Sequence, residues 1–177
     1  MPTSKEVIGQ YLQSAIAAER KFEENLRSFA QVGDDQDVQL AFAEHADETR
    51  SQLDRLVDRL GALGLAAAGS DTPLASLPQF APDFAGAGDA PEVRLVQNLI
   101  TAYCVETGEC AMYEALASVA SAAGDSETEQ LARTIQSEEV RAAEKVFHFL
   151  RSRSKIAFNV LTPQEIDPAV ETKVGMA

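Results

Sequence analysis

The sequence predicts an all-α protein, an antiparallel four-helix bundle in which two helical hairpins are joined by one long crossover. Three observations lead there. Four long stretches, Thr3 to Gln31, Asp34 to Leu63, Glu92 to Ala123 and Asp125 to Phe158, contain none of the seven prolines, and a proline inside a helix costs about 3 kcal/mol. The turns QVGDD and AAGD are short enough to force antiparallel neighbours. The middle connection, Gly64 to Ala90, is rich in Gly, Ala and Pro, and its 27 residues suit a passage along the bundle rather than a turn. No β signal competes.

The first helix starts at a capping box, Thr3 with Glu6, and its apolar stripe is Ile8, Leu12, Ala15, Phe22, Leu26 and Phe29. The missing member of that stripe is Glu19. Asp34 and Asp35 are candidate caps for the second helix, whose inward face carries Val38, Phe42, Thr49, Leu53, Leu56 and Leu60. His45 falls among these, with Glu48 and Gln52 at the edge of the face. Pro91 suits the first turn of the third helix, after Asp89. Its stripe runs Leu95, Leu99, Ala102, Tyr113, Leu116 and Ala120, with Glu106 in the middle and Glu109 a turn on. The first and third stripes superpose at an offset of 87, which sets Glu19 on Glu106. Ser126 with Glu129 has capping-box spacing for the fourth helix, where Glu138 and Glu139 flank the gap between Ile135 and Ala142. These boundaries make residues 1–159 one bundle domain and residues 160–177 an extended or disordered tail.

With 28 acidic against 15 basic residues the formal net charge is −13. Such a surface repels phosphate backbones and anionic lipid, so nucleic acid and membranes are not expected partners. No apolar run spans a bilayer, and the start MPTSKEVIGQ lacks the pattern of a secretory signal. Cys104 and Cys110, six apart, fit neither a redox pair nor a zinc knuckle. Reduced thiols in a cytoplasm are the simplest expectation.

In antiparallel helices of similar length the midpoints meet. Glu19, His45, Glu48, Glu106, Glu109, Glu138 and Glu139 all lie near midpoints, so they are expected to share one central level. An ionised carboxylate in an apolar interior costs several kcal/mol even after relaxation. Cations, shared protons or a metal can compensate. Arg20, Lys21, Arg50, Arg133 and Arg141 fall to the sides of the stripes, which leaves a pair of metal ions as the strong compensation. Carboxylates with an imidazole suit iron or manganese better than zinc. Tyr113, a turn beyond Glu109, can hydrogen-bond a ligand carboxylate or simply fill space.

The segments AAERKFEENLRSFA, AFAEHADETRSQLDRL and VETGECAMYEAL resemble the YciE/YciF-type ferritin-like stress proteins. The likeness runs from about Val7 to Leu150 and is clearest in the EHxxET stretch, Glu44 to Thr49. It implies a ferritin-like bundle, usually a homodimer, with a di-metal centre whose ligand positions are Glu19, His45, Glu48, Glu106, Glu109 and Glu138. The chain departs from the family where it has Thr107-Gly108 between the helix-three glutamates and Ala142 after the helix-four pair. It also lacks the ferritin ExxH spacing, since Ser51 follows Glu48 at three and Arg141 follows Glu138. Two functions accord with these residues. One is a di-metal carboxylate protein for peroxide or iron handling. The other is a non-enzymatic scaffold with a metal-free site, acting through self-association or partner binding.

Overall fold

Each helix begins where the chain can satisfy or dispense with its first free amides. In this computed structural model, which describes residues 2–66 and 90–163, the helices are α1 (Ser4–Phe29), α2 (Gln36–Ala62), α3 (Pro91–Ala123) and α4 (Ser126–Leu161). Thr3 and Glu6 cap α1 reciprocally, and Asp35 accepts from the Val38 amide at the start of α2. Pro91 opens α3 without a side-chain cap. The expected Ser126–Glu129 box is not what starts α4. Asp125, one residue earlier, accepts from the Thr128 amide at 3.1 Å and from its hydroxyl at 2.6 Å, because a carboxylate can serve both donors at once. Gly33 and Gly124 close the two short turns at φ of 73° and 74°, a region that favours glycine.

The four helices form the expected bundle. α1 packs on α2 and α3 on α4 as hairpins, and the hairpins meet through α1 with α3 and α2 with α4. Leu65, just past α2, sits on Gly9 near the start of α1, where a Cβ would overlap it. Pro91 and Leu95 sit instead beside Gly33, past the end of α1. The middle connection therefore joins opposite ends of the bundle, separated by the roughly 40 Å of a 27-residue helix. The crossover itself falls on residues 67–89, outside the described residues. So does most of the expected tail, residues 164–177, while α4 continues two residues past 159.

α2 and α4 clamp each other's beginnings. Arg59 of α2 donates to the α4 cap Asp125 at 2.6 Å, and Arg153 of α4 donates to the α2 cap Asp35 at 2.6 and 3.0 Å. Both cap carboxyls are held below their ordinary range: hydrogen bonds from Arg153 do so at Asp35, and those from Arg59 and Thr128 outweigh burial at Asp125.

The core is split in two. Ile8, Leu12, Leu56, Leu60, Leu116 and Ile135 belong to one apolar cluster. Phe22, Leu26, Phe42, Leu95, Leu99 and Val146 belong to the other. Between them lies a polar level at mid-height. No described helix is long and apolar enough to cross a membrane.

Candidate metal centre

Each helix delivers its part of this level through the same periodicity that builds the core. An inward stripe at helical spacing has one or a few positions per helix at mid-height, and here those positions are polar. Glu19 comes from α1, His45 from α2, Glu106 and Glu109 from α3, and Glu139 from α4. All four carboxylates are 0% exposed and His45 is 7% exposed.

One nitrogen and two oxygens, from His45, Glu106 and Glu139, lie within 4.8 Å of one another. His45 Nε2 is 2.8 Å from Glu106 Oε1, an ion-pair distance without hydrogen-bond geometry. The ring packs edge-on against Phe22, with centroids 5.7 Å apart. Glu139 Oε1 accepts a 2.5 Å hydrogen bond from Gln52 Nε2. On the α1 side, the Tyr113 hydroxyl donates to Glu19 Oε1. Nine buried polar atoms in this level have no hydrogen-bond partner among the described residues: one oxygen each of Glu19, Thr49, Gln52 and Glu139, both of Glu106 and Glu109, and His45 Nε2. Buried polar atoms in native proteins are overwhelmingly paired, so the set is short of partners.

The electrostatics follow from the burial. Desolvation lifts the Glu19 carboxyl to about 8, with the Tyr113 hydrogen bond opposing and the Glu106 charge adding. Desolvation and the neighbouring glutamates push Glu109 and Glu139 well above the usual carboxylate range. Burial alone would lower His45, but contacts with Glu106 and Glu48 outweigh it and raise the ring to about 9. The metal-free level therefore tends to hold protons. Dications would displace them, and the donor set of carboxylates with one imidazole fits such ions.

The sequence-derived residues do not all sit alike. Glu48 lies at the rim, its side chain 45% exposed and its Oε2 3.8 Å from His45 Nδ1, and that contact holds it below its ordinary range. Glu138 turns toward Arg55, whose guanidinium grips both of its oxygens at 2.5 and 3.2 Å. The expectation that no cation reaches this level is thus corrected: Arg55 stands beside the α2 stripe, a turn on from Gln52, but its long side chain extends to the level. Gln52, expected at the edge of the α2 face, is fully buried and joins Glu138 to Glu139. The spacing of His45, Thr49 and Gln52 along one helical face is the signal that would have placed it there. His148 is exposed, away from the centre. A cavity of ≈ 190 Å³ opens between α2 and α4, lined in part by His45, Glu48, Ala142 and Val146.

Tyr113→Phe tests the α1 side. It would leave Glu19 without its one hydrogen bond, and a buried acceptor stripped of its donor costs about 1–3 kcal/mol. The variant is expected to show a lower urea midpoint, with a larger loss at pH 9 than at pH 6. An unchanged midpoint would mean that Tyr113 only fills space.

Together, fold and site define a ferritin-like four-helix bundle with a candidate metal centre in its interior. Residues 3–157 match the family described as Domain of unknown function (DUF892), and the chain belongs to that family. Among solved structures it is similar to a protein from Xanthomonas campestris pv. campestris at 20% identity and a TM-score of 0.75, covering 91% of this chain and 99% of that one. It is also similar to the E. coli stress protein YciF at 20% identity and a TM-score of 0.71, covering 88% and 99%, in keeping with the resemblance seen in the helix motifs. The DPS protein of Vibrio cholerae O1, described as a member of a broad superfamily of ferritin-like diiron-carboxylate proteins, matches at 14% identity and a TM-score of 0.66, covering 84% and 91%. No curated protein matches the sequence.

Proposed function

We propose that this protein is a di-metal carboxylate protein that holds iron or manganese inside its bundle and serves peroxide or iron handling under stress. One observation carries the reading: nine polar atoms without a hydrogen-bond partner among the described residues, six of them carboxylate oxygens, are buried together at one level between two apolar clusters. Metal ions are the group that satisfies such a set at once. Glu19, His45, Glu106, Glu109 and Glu139 would hold the metals, with Glu48 and Glu138 at the rim. Bound iron or manganese would supply electrons to dioxygen or peroxide. The chain's own task is to keep bulk water out through the apolar clusters, to aim Glu139 through Gln52, and to hold a proton between Tyr113 and Glu19. The cavity beside His45 offers small molecules an approach from the α2–α4 side.

Elemental analysis tests this directly. Protein purified without chelator and reconstituted with ferrous iron is expected to carry about one to two equivalents of metal per chain. A content near zero would exclude the reading. It would favour a metal-free scaffold instead, which the Arg55–Glu138 pair and the raised carboxyls would let stand on protons alone. The proposed homodimer would bury the α3–α4 face, where Val140 and Phe147 are exposed and Phe147 lies 5.2 Å from the Tyr103 ring. The free thiols of Cys104 and Cys110 suit the proposed cytoplasmic setting.

A further inference from the structure

The cavity between α2 and α4 has two unlike ends. The ion pairs Asp35–Arg153, Glu44–Lys145 and Arg59–Asp125 set these helices antiparallel, which puts the lining residues in order. Toward the start of α2, Val38 and Phe42 face Val146 and Phe149, and Leu99 of α3 adds to the apolar lining. Toward mid-height, His45 and Glu48 face Arg141 and Ala142. Ala41 and Ala142 are the small residues of the two walls, and larger side chains there would fill the space.

Size and charge define what fits. The volume is ≈ 190 Å³. A dry apolar cavity of about 150 Å³ holds benzene, so there is room here for an apolar body of about six to eight carbons. At the mouth the charges cancel, with Glu44 paired to Lys145 at 2.8 Å and Glu48 opposite Arg141. A charged ligand would leave water without a counter-ion to spare, which is costly. One polar slot lies at the inner end. His45 Nδ1 and Glu48 Oε2 are 3.8 Å apart, too far for a direct hydrogen bond. A single oxygen atom can bridge that gap, accepting from the ring and donating to the carboxylate.

We propose that this cavity binds a small uncharged amphiphile, with its apolar body along Phe42, Leu99 and Val146 and a hydroxyl or hydroperoxyl head between His45 and Glu48. Binding calls for no metal. Joined to the peroxide role proposed above, and resting on it in this one respect, the cavity selects organic hydroperoxides over hydrogen peroxide, which has no apolar body to fill these walls.

The test uses metal-free full-length protein and follows amide NMR shifts during titration with 1-alcohols from ethanol to decanol. Saturable binding is expected, tightening up to about six to eight carbons and weakening beyond. The shifting amides should centre on residues 38–48 and 141–149. Hexanoate and hexylamine, the same body with a charge, should bind at least about tenfold more weakly than hexanol. tert-Butyl hydroperoxide should displace hexanol from the same amides. Ala142→Leu should weaken hexanol by at least about tenfold, and Val146→Ala should move the best chain length upward. Circular dichroism reports that each variant is folded, and the wild-type series decides without either. No saturable binding, a preference for hexanoate, or equal binding by wild type and Ala142→Leu would overturn the inference. Metal content is measured separately. Alcohol binding without metal uptake would keep the cavity ligand and remove the peroxide role, whereas metal uptake without alcohol binding would do the opposite.

Discussion

Glu109→Met is expected to raise the stability of the metal-free protein at pH 8 and to lower that of the metal-loaded protein. The side chain is fully buried, and neither carboxylate oxygen has a hydrogen-bond partner among the described residues. Burial and the charges of Glu19 and Glu106 already push its proton affinity well up. A methionine of similar volume removes that penalty, and exchanging buried ionic groups for packed apolar ones has stabilised proteins by about 1–4 kcal/mol. In a chain of this length each kcal/mol moves the melting midpoint by about 2–4 °C. With metal present the sign reverses. An ion at a hundredfold excess over its Kd stabilises the folded state by about 2.7 kcal/mol, and a variant lacking a ligand forfeits much of that. Differential scanning calorimetry with and without metal reads both signs. A loss in both states would mean that Glu109 is satisfied without metal, and a gain in both would mean that it ligates none.

Without metal, stability is expected to fall as pH rises from about 5 to about 9, and bound metal should flatten or reverse the slope. The sign comes from which state keeps its protons. Glu19 titrates near 4.5 in the unfolded chain and at about 8 in the fold. Its contribution is complete below 4.5 and is lost as pH climbs through 8. Glu109 and Glu139 are raised by burial and act in the same direction. His45, raised from 6.5 to about 9, adds a contribution that is lost last. Each proton held by the folded but not the unfolded chain tilts stability by about 1.4 kcal/mol per pH unit. The cap carboxyls Asp35 and Asp125 are lowered and work oppositely, but their contributions are lost only as pH falls into the acid range. Urea midpoints of the metal-free protein across this range are the measurement. A midpoint rising from pH 5 to 9 would contradict protonated carboxyls in the core. Metal added above pH 7 should release protons and recover the midpoint.

The bundle was legible in the chain because its determinants are local. Proline placement, cap chemistry and the repeat of inward residues act within a few turns, so the four helices and their antiparallel pairing follow without knowledge of distant contacts. The same repeat put Glu19 level with Glu106 and His45 on the inward face of α2. Small angular differences were harder to read. Glu138 and Glu139 are adjacent, about 100° apart on the helix, and flank the same gap, so periodicity alone did not choose between them. The choice is made by Arg55, which draws Glu138 aside, and by Gln52, which holds Glu139 inward.

By itself, then, the sequence determined the helices, the short turns, the inward apolar stripes and the height at which carboxylates interrupt them, since each depends on spacing along one strand of chain. Only the tertiary structure decided which carboxylates face one another, which keep a hydrogen bond and which are left without one. Those outcomes depend on side-chain reach between helices, and on the loss of water that makes an unpaired charge costly. Neither quantity exists until the four helices are packed together.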